Sequence, residues 1–432
     1  MKSVLLNTWT LLLGVLLLMI GNGLQGTLLG VRGAIEGLSA GTMSFVMTAY
    51  FAGFLAGSRL APVMISRVGH VRVFAALGSV ASAAFILYGA FPDAWAWIPL
   101  RFVVGLCFSG VYVVAESWLN DTATNETRGI TLSTYMFMQM GGIIIAQVVM
   151  GFGDPTGYQL FVLISVLVSL SFAPILLTVA PTPVFGSTRR MTLKELYKIS
   201  PLGIVGLFIL GAGIGGFFGM APVYGTSIGL SAAEVSTLVG AAYLGGLLLQ
   251  FPIGYLSDRM DRRQLIIYVA LIGVVATILC AAILDNYWVV LGLSMLFGGL
   301  LNPLYSLLIS YTNDLLDPGD MAAGSGGALF VNGLGAVFGP LMVGWLMGRF
   351  GPNVYFPFTA VLLLLIASYA VYRSTKRAAI PVDEQGAYVA VTPTYTPVLT
   401  TVAGEYSAEQ GDEDAADTPD ETPPETPQAD AT

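Results

Sequence analysis

The side chain under the greatest chemical demand is Arg101, a guanidinium inside an otherwise apolar run, residues 95–118. A charge at that depth costs several kcal/mol unless a polar cluster, a carboxylate or a bound anion takes its donors. Asn22 and Gln25, three residues apart and therefore on one face of a helix, lie at a similar depth in another run and could complete such a cluster. If Arg101 faces a cavity the chemistry is anion recognition; if not, the three side chains serve packing alone. Gln139, Asn302, Tyr305 and Asn332 are the other polar groups in mid-run. Each alone suits helix-to-helix bonding, and as a set they form the expected lining of a central pocket, with Phe217, Phe218, Tyr224 and Tyr243 as candidate aromatic walls.

A second constellation is ionic. Gly254-Tyr255-Leu256-Ser257-Asp258-Arg259-Met260-Asp261-Arg262-Arg263 is a tight turn leaving an apolar run, with an acid followed by bases. Asp258 there could bond helix N-terminal amides and arginine side chains at a partly dry edge, forming a latch. The matching loop of the first half keeps Arg67 and Gly69 but carries Pro62 and Ser66 where the other copy has Gly254 and the acid, and ends on His70, expected at headgroup level. Glu116 lies fifteen residues from Arg101, about 22 Å along a helix, too far to pair with it. It is expected to meet Arg128 or Arg67 as a gate contact. The bland alternative makes all these bases simple anchors on one membrane face. No nucleophile, base and metal-ligand grouping suggests an enzyme, and Cys107 and Cys280 read as small apolar filler.

What must position these groups follows from composition. Of 432 residues 55% are hydrophobic and 10% charged, with mean hydropathy +0.78, which excludes an ordinary soluble domain. Roughly twelve apolar runs of bilayer length recur, among them 5–29, 95–118, 202–224 and 288–311. They lack the alternation of a membrane barrel, so the fold is all-α and polytopic. The first run is too long for a cleaved signal core and reads as the first span. Residues 378–432 hold 12 of the 26 acids and no Lys or Arg, so the rest carries 18 bases against 14 acids. Fifteen of those bases fall on one side of the spans, and only Arg32 and Arg349 on the other. The positive-inside rule then puts both termini in the cytoplasm of an inner-membrane protein. Nothing suggests nucleic acid.

The chain also repeats itself. An offset of 193 residues carries Gly23 and Gly26 onto Gly216 and Gly219, Tyr50 and Gly53 onto Tyr243 and Gly246, and Trp95, Gly105, Tyr112, Asn120 and Asp121 onto Trp288, Gly298, Tyr305, Asn313 and Asp314. Both copies start on the same side, which predicts two parallel six-helix bundles, residues 1–180 and 201–377, joined by a cytoplasmic linker, 181–200. The Thr, Pro and acid-rich tail, 378–432, is expected to be disordered.

On these motifs the region 1–377 resembles the major facilitator superfamily, and Glu116 to Asn120 with Arg128-Gly129 is similar to its bacterial YcaD-like subgroup. The 254–263 turn resembles that family's loop signature, with Asp261 in place of a usual glycine; Arg101 with Gly105 resembles its fourth-helix signature. Gly335 to Gly344, with Pro340, resembles the antiporter glycine-proline motif, displaced here to the eleventh span. The resemblance implies secondary transport of a small solute by alternating access, in a monomer among membrane lipids, without cofactor or metal and with a proton or another coupling ion as an open partner. It names no solute. A multidrug or metabolite efflux antiporter is one alternative; a non-transporting receptor or scaffold acting through the acidic tail is another.

Overall fold

The computed structural model describes residues 2–123, 127–176, 191–283, 286–317, 320–378 and 380–416. Its helices in chain order are α1 (Lys2–Ile35), α2 (Ala40–Val68), α3 (His70–Ala90), α4 (Ala94–Thr122), α5 (Arg128–Phe152), α6 (Gln159–Leu176), α7 (Leu193–Ile199), α8 (Pro201–Ser227), α9 (Ala232–Ser257), α10 (Arg262–Ala282), α11 (Tyr287–Asn313), α12 (Met321–Phe350), α13 (Tyr355–Ser374) and α14 (Pro397–Ala416). Eleven of them are long and apolar enough to cross a membrane; α6 is apolar but shorter over its described residues. With α6, the twelve runs make two six-helix bundles, and large apolar side chains such as Trp95, Phe152, Trp288 and Trp345 point outward, as a lipid solvent requires.

Local chemistry starts and stops these helices. Ser39 accepts from the Thr42 amide ahead of α2, and Ser231 with Glu234 forms a full capping box ahead of α9. The chain reverses before both at Gly37 and Gly229, whose φ of 73° and 85° suits glycine. Within each bundle, glycines bring backbones together: a methyl built on Gly105 would lie 2.0 Å from the Tyr50 carbonyl oxygen, and one on Gly245 would lie 1.9 Å from that of Met295. The same close approach therefore ties α2 to α4 and, one repeat later, α9 to α11.

The bundles meet at the end away from the chain termini. There a methyl on Gly30 of α1 would strike Pro222 of α8 at 2.4 Å, and one on Gly344 of α12 would strike Ser44 of α2 at 2.2 Å. The Thr48 hydroxyl donates across the seam to the Val337 carbonyl at 3.2 Å. At the terminal end, by contrast, the bundles spread and a vestibule opens between them.

One expectation is corrected here. His70 is no loop residue: it begins α3, 4% exposed, with its ring beside Trp118. In the tail, expected to be disordered, Val391, Tyr395, Leu399, Val402 and Ala403 are buried in the vestibule. The reason is local composition: residues 378–406 hold three of the twelve tail acids and supply a small apolar set, while the acids cluster beyond. Residues 417–432 lie outside the described residues, as do linker residues 181–190 with Arg189 and Arg190. The rest of the linker forms α7, begun by a Thr192–Glu195 capping box.

Candidate functional site

Arg101, about two turns into α4, is only 5% exposed. It donates from Nη1 to Gln25 Oε1 and contacts the Met47 sulfur at 3.6 Å, while its guanidinium carbon stands 4.9 Å over the Tyr50 ring. Gln25 Nε2 donates to Asn22 Oδ1 at 2.9 Å, which also accepts from the Tyr50 hydroxyl at 3.2 Å. Asn22 Nδ2 in turn donates to the Tyr112 hydroxyl at 3.0 Å. The three residues singled out in the sequence thus form one connected network. Among the described residues no carboxylate pairs with Arg101, and its Nε has no partner.

This network borders a cavity of about 160 Å³ between the bundles. Asn22, Gln25, Arg101 and Asn332 line it, with Tyr50, Phe51, Phe54 and Gln147 from the first bundle and Phe218 and Tyr243 from the second. The Phe218 and Tyr243 rings pack 4.3 Å apart. Phe217 and Tyr224 do not reach it; their rings pack with Tyr355 inside the second bundle. Asn332 is anchored by donation to the Leu207 carbonyl at 3.0 Å. Gln147, unnoticed in the sequence, is held by the Thr27 hydroxyl at 2.8 Å. Tyr50 and Tyr243 carried a signal, since they coincide under the 193-residue offset.

Gln139, Asn302 and Tyr305 lie elsewhere. Gln139 Oε1 accepts from Thr392 and Thr394 of the tail at 3.1 and 3.0 Å. Asn302 and Tyr305 are buried in α11, outside the cavity wall. Depth along a helix is readable from sequence, but the direction a side chain faces depends on the packing of neighbours.

The charged turn is assembled differently from the expectation. Arg262, 1% exposed, ion-pairs with Asp314 at the end of α11 and donates from Nε to Ser257 at 3.1 Å. Burial pushes the Asp314 carboxyl above the usual range, and the Arg262 charge opposes that shift. Asp258 caps α9 at 3.9 Å from Arg262 and accepts from the Tyr388 backbone N–H at 2.7 Å. Gly254 abuts the Tyr388 ring. Arg259 turns out over Tyr255 at 3.6 Å, and Arg263 donates to the Arg377 carbonyl at 2.7 Å. Asp314 was the missed partner, although the repeated Asn-Asp pair marked it. In the first half, Arg67 is exposed at the end of α2 beside Gly69, with φ of 87°, and Arg128 opens α5.

Glu116 is fully buried. Its partners are not the expected arginines: Tyr135 donates to one carboxylate oxygen at 3.1 Å, and the Thr396 backbone N–H donates to the other at 2.9 Å, joined by the Thr396 hydroxyl.

Comparison with known proteins agrees with this architecture. The family model described as Major Facilitator Superfamily matches residues 11–232 and again 203–404. An uncharacterized MFS-type transporter, YcaD, of Escherichia fergusonii is 24% identical over 351 residues, 80% of this chain and 90% of that one. Its counterpart in Escherichia coli O45:K1 is 25% identical with the same coverage. Among solved structures, the nucleoside transporter NupG superposes with a TM-score of 0.71 at 14% identity, over 84% of this chain and 98% of that one. The D-xylose-proton symporter does so with 0.66 at 16%, over 84% and 96%. With two parallel six-helix bundles around one cavity and the family model on both, the chain belongs to the major facilitator superfamily and is a multi-pass secondary transporter of a small solute.

Proposed function

We propose that the solute is a small anion carrying a planar or apolar group. The observation that carries this reading is the buried Arg101 guanidinium, bordering the cavity with an unpartnered Nε and, among the described residues, no carboxylate partner. An anion there would supply the missing counter-charge, and the fork geometry suits carboxylate or phosphate. Phe51, Phe54, Phe218 and Tyr243 offer apolar faces to the rest of the molecule. The volume is similar to that of a dry protein void that holds benzene, of order 150 Å³, so the solute is compact.

The charge asymmetry, with Arg67, Arg128, Arg262, Arg263 and Arg377 at the terminal end and Arg32 and Arg349 at the other, supports an inner-membrane protein with cytoplasmic termini. The reading includes a monomer among lipids, bundle boundaries at 1–180 and 201–377 with the linker between, and no catalysis. A proton or another ion supplies the driving force. The test is thermal stability of the purified protein with matched anionic, neutral and cationic compounds, followed by uptake of the best binder into proteoliposomes. Stabilisation confined to anions is expected, since a bound ligand raises apparent stability; stabilisation by cations alone would overturn the reading. An efflux antiporter of cationic drugs predicts that reverse result. A receptor or scaffold predicts that removal of 378–432 abolishes function, whereas transport by the bundles survives it.

A further inference from the structure

We propose that the vestibule is a docking site for the chain's own segment 386–406, which acts as a reversible plug between the bundles. The segment enters beside the charged turn, where Arg262 bonds the Gly386 carbonyl and Asp258 accepts from the Tyr388 amide. It crosses to the opposite wall and back, touching both bundles. From the second bundle, Ser306 of α11 donates to the Val391 carbonyl at 2.8 Å, and Gln250 of α9 donates to the Tyr388 hydroxyl at 2.9 Å. From the first, Gln139 receives Thr392 and Thr394, Glu116 receives Thr396, and the Leu132 carbonyl accepts from the Tyr395 hydroxyl at 3.3 Å.

The fit is both polar and apolar. Leu399, Val402 and Ala403 share one face of α14 by helical spacing and are each at most 5% exposed. Thr396 and Thr400 are fully buried, and Gly404 sits against Asn313, where a methyl would meet Nδ2 at 3.0 Å. Pro393 and Thr394 form part of the cavity wall itself. A solute in the cavity therefore has no path to the terminal face while the segment is seated, and the bundles cannot close at that face around it. Release of the plug is a precondition for exchange there, whatever the charge of the solute.

The acids support a tethered rather than a fixed element. Nine of the twelve tail acids follow residue 406, a composition whose solvation by water favours withdrawal of the segment. Docking then is an equilibrium between apolar burial and solvation of the tail.

The experiment replaces Cys107 and Cys280 by alanine, introduces Ser58→Cys in the cavity wall, and measures labelling by a charged maleimide in nanodiscs. The full chain is expected to label at least ten times more slowly than a chain ending at residue 380. A synthetic peptide of residues 386–406 should restore protection to the shortened chain, and a scrambled peptide should not. Equal labelling rates, or equal protection by both peptides, overturn the proposal. Should the shortened chain fail to fold, the full chain carrying Asn313→Cys and Gly404→Cys decides: oxidation is expected to form the cross-link and slow the labelling of Ser58→Cys further, and failure to cross-link overturns the plug. No transported solute enters the assay, so its result is independent of the anion reading.

Discussion

The Glu116 carboxylate on α4 and Thr396, 280 residues later, are joined by two hydrogen bonds, one from the Thr396 backbone and one from its hydroxyl. A carboxyl group buried in a membrane bundle is thereby satisfied by the chain's own tail instead of by an arginine. Leaving a buried hydrogen-bonding group without its partner costs about 1–3 kcal/mol.

Thr396→Val keeps the shape and the backbone bond but removes the hydroxyl donor. It should weaken seating of the tail by about 1–3 kcal/mol, raising the labelling rate of Ser58→Cys about fivefold to a hundredfold. An unchanged rate would show that the Glu116–Thr396 contact does not hold the segment.

Arg101→Gln retains a polar side chain while deleting the charge. Anionic compounds that stabilise the parent protein should lose their effect, whereas folding and expression should change little, because Gln25 and Asn22 still bond each other and Tyr50. Arg101→Ala should additionally lower the melting temperature through lost packing. Full anion binding by the Gln variant would remove Arg101 from the binding site.

Asp314→Asn removes the nearer of the two carboxylates that face Arg262, which is 1% exposed. Breaking one side of a buried pair costs about 3–5 kcal/mol, so a large fall in melting temperature is expected. Arg259→Ala, at an exposed ring contact, should cost less than about 1 kcal/mol. Similar losses from the two would contradict the ranking of these arginines.

Asp258→Asn preserves an acceptor for the Tyr388 amide but discards its charge. The predicted result is a modest increase, about threefold to tenfold, in Ser58→Cys labelling, since a charge-assisted bond is roughly twice as strong as a neutral one. Unaltered labelling would rule out the turn as a latch on the tail.

Gly105→Val places branched carbon where a single methyl would already lie 2.0 Å from the Tyr50 carbonyl oxygen. Because backbone atoms cannot rotate aside, α2 and α4 must separate, carrying Arg101 off its network. The folded yield in detergent should drop sharply, while Gly141→Ala, with nothing within 4 Å of the added methyl, should leave it unchanged.

Some of this was legible without coordinates. The length and apolarity of the runs determined helices, because a bilayer leaves no other way to satisfy the backbone of segments apolar on all sides. The 193-residue echo determined two like bundles, and the isolation of Arg101 required polar company at its depth, which Asn22 and Gln25 were spaced to provide. Tertiary structure decided what one-dimensional patterns do not encode: which way Gln139, Asn302 and Tyr305 face, that Arg262 takes Asp314 as its main partner, and that Glu116 meets Thr396. It also decided the fate of the tail. Composition averages over 378–432 are dominated by the distal acids, but burial acts on individual side chains, and Tyr395, Leu399 and Val402 find a cleft to fill only once two distant bundles have come together to make it.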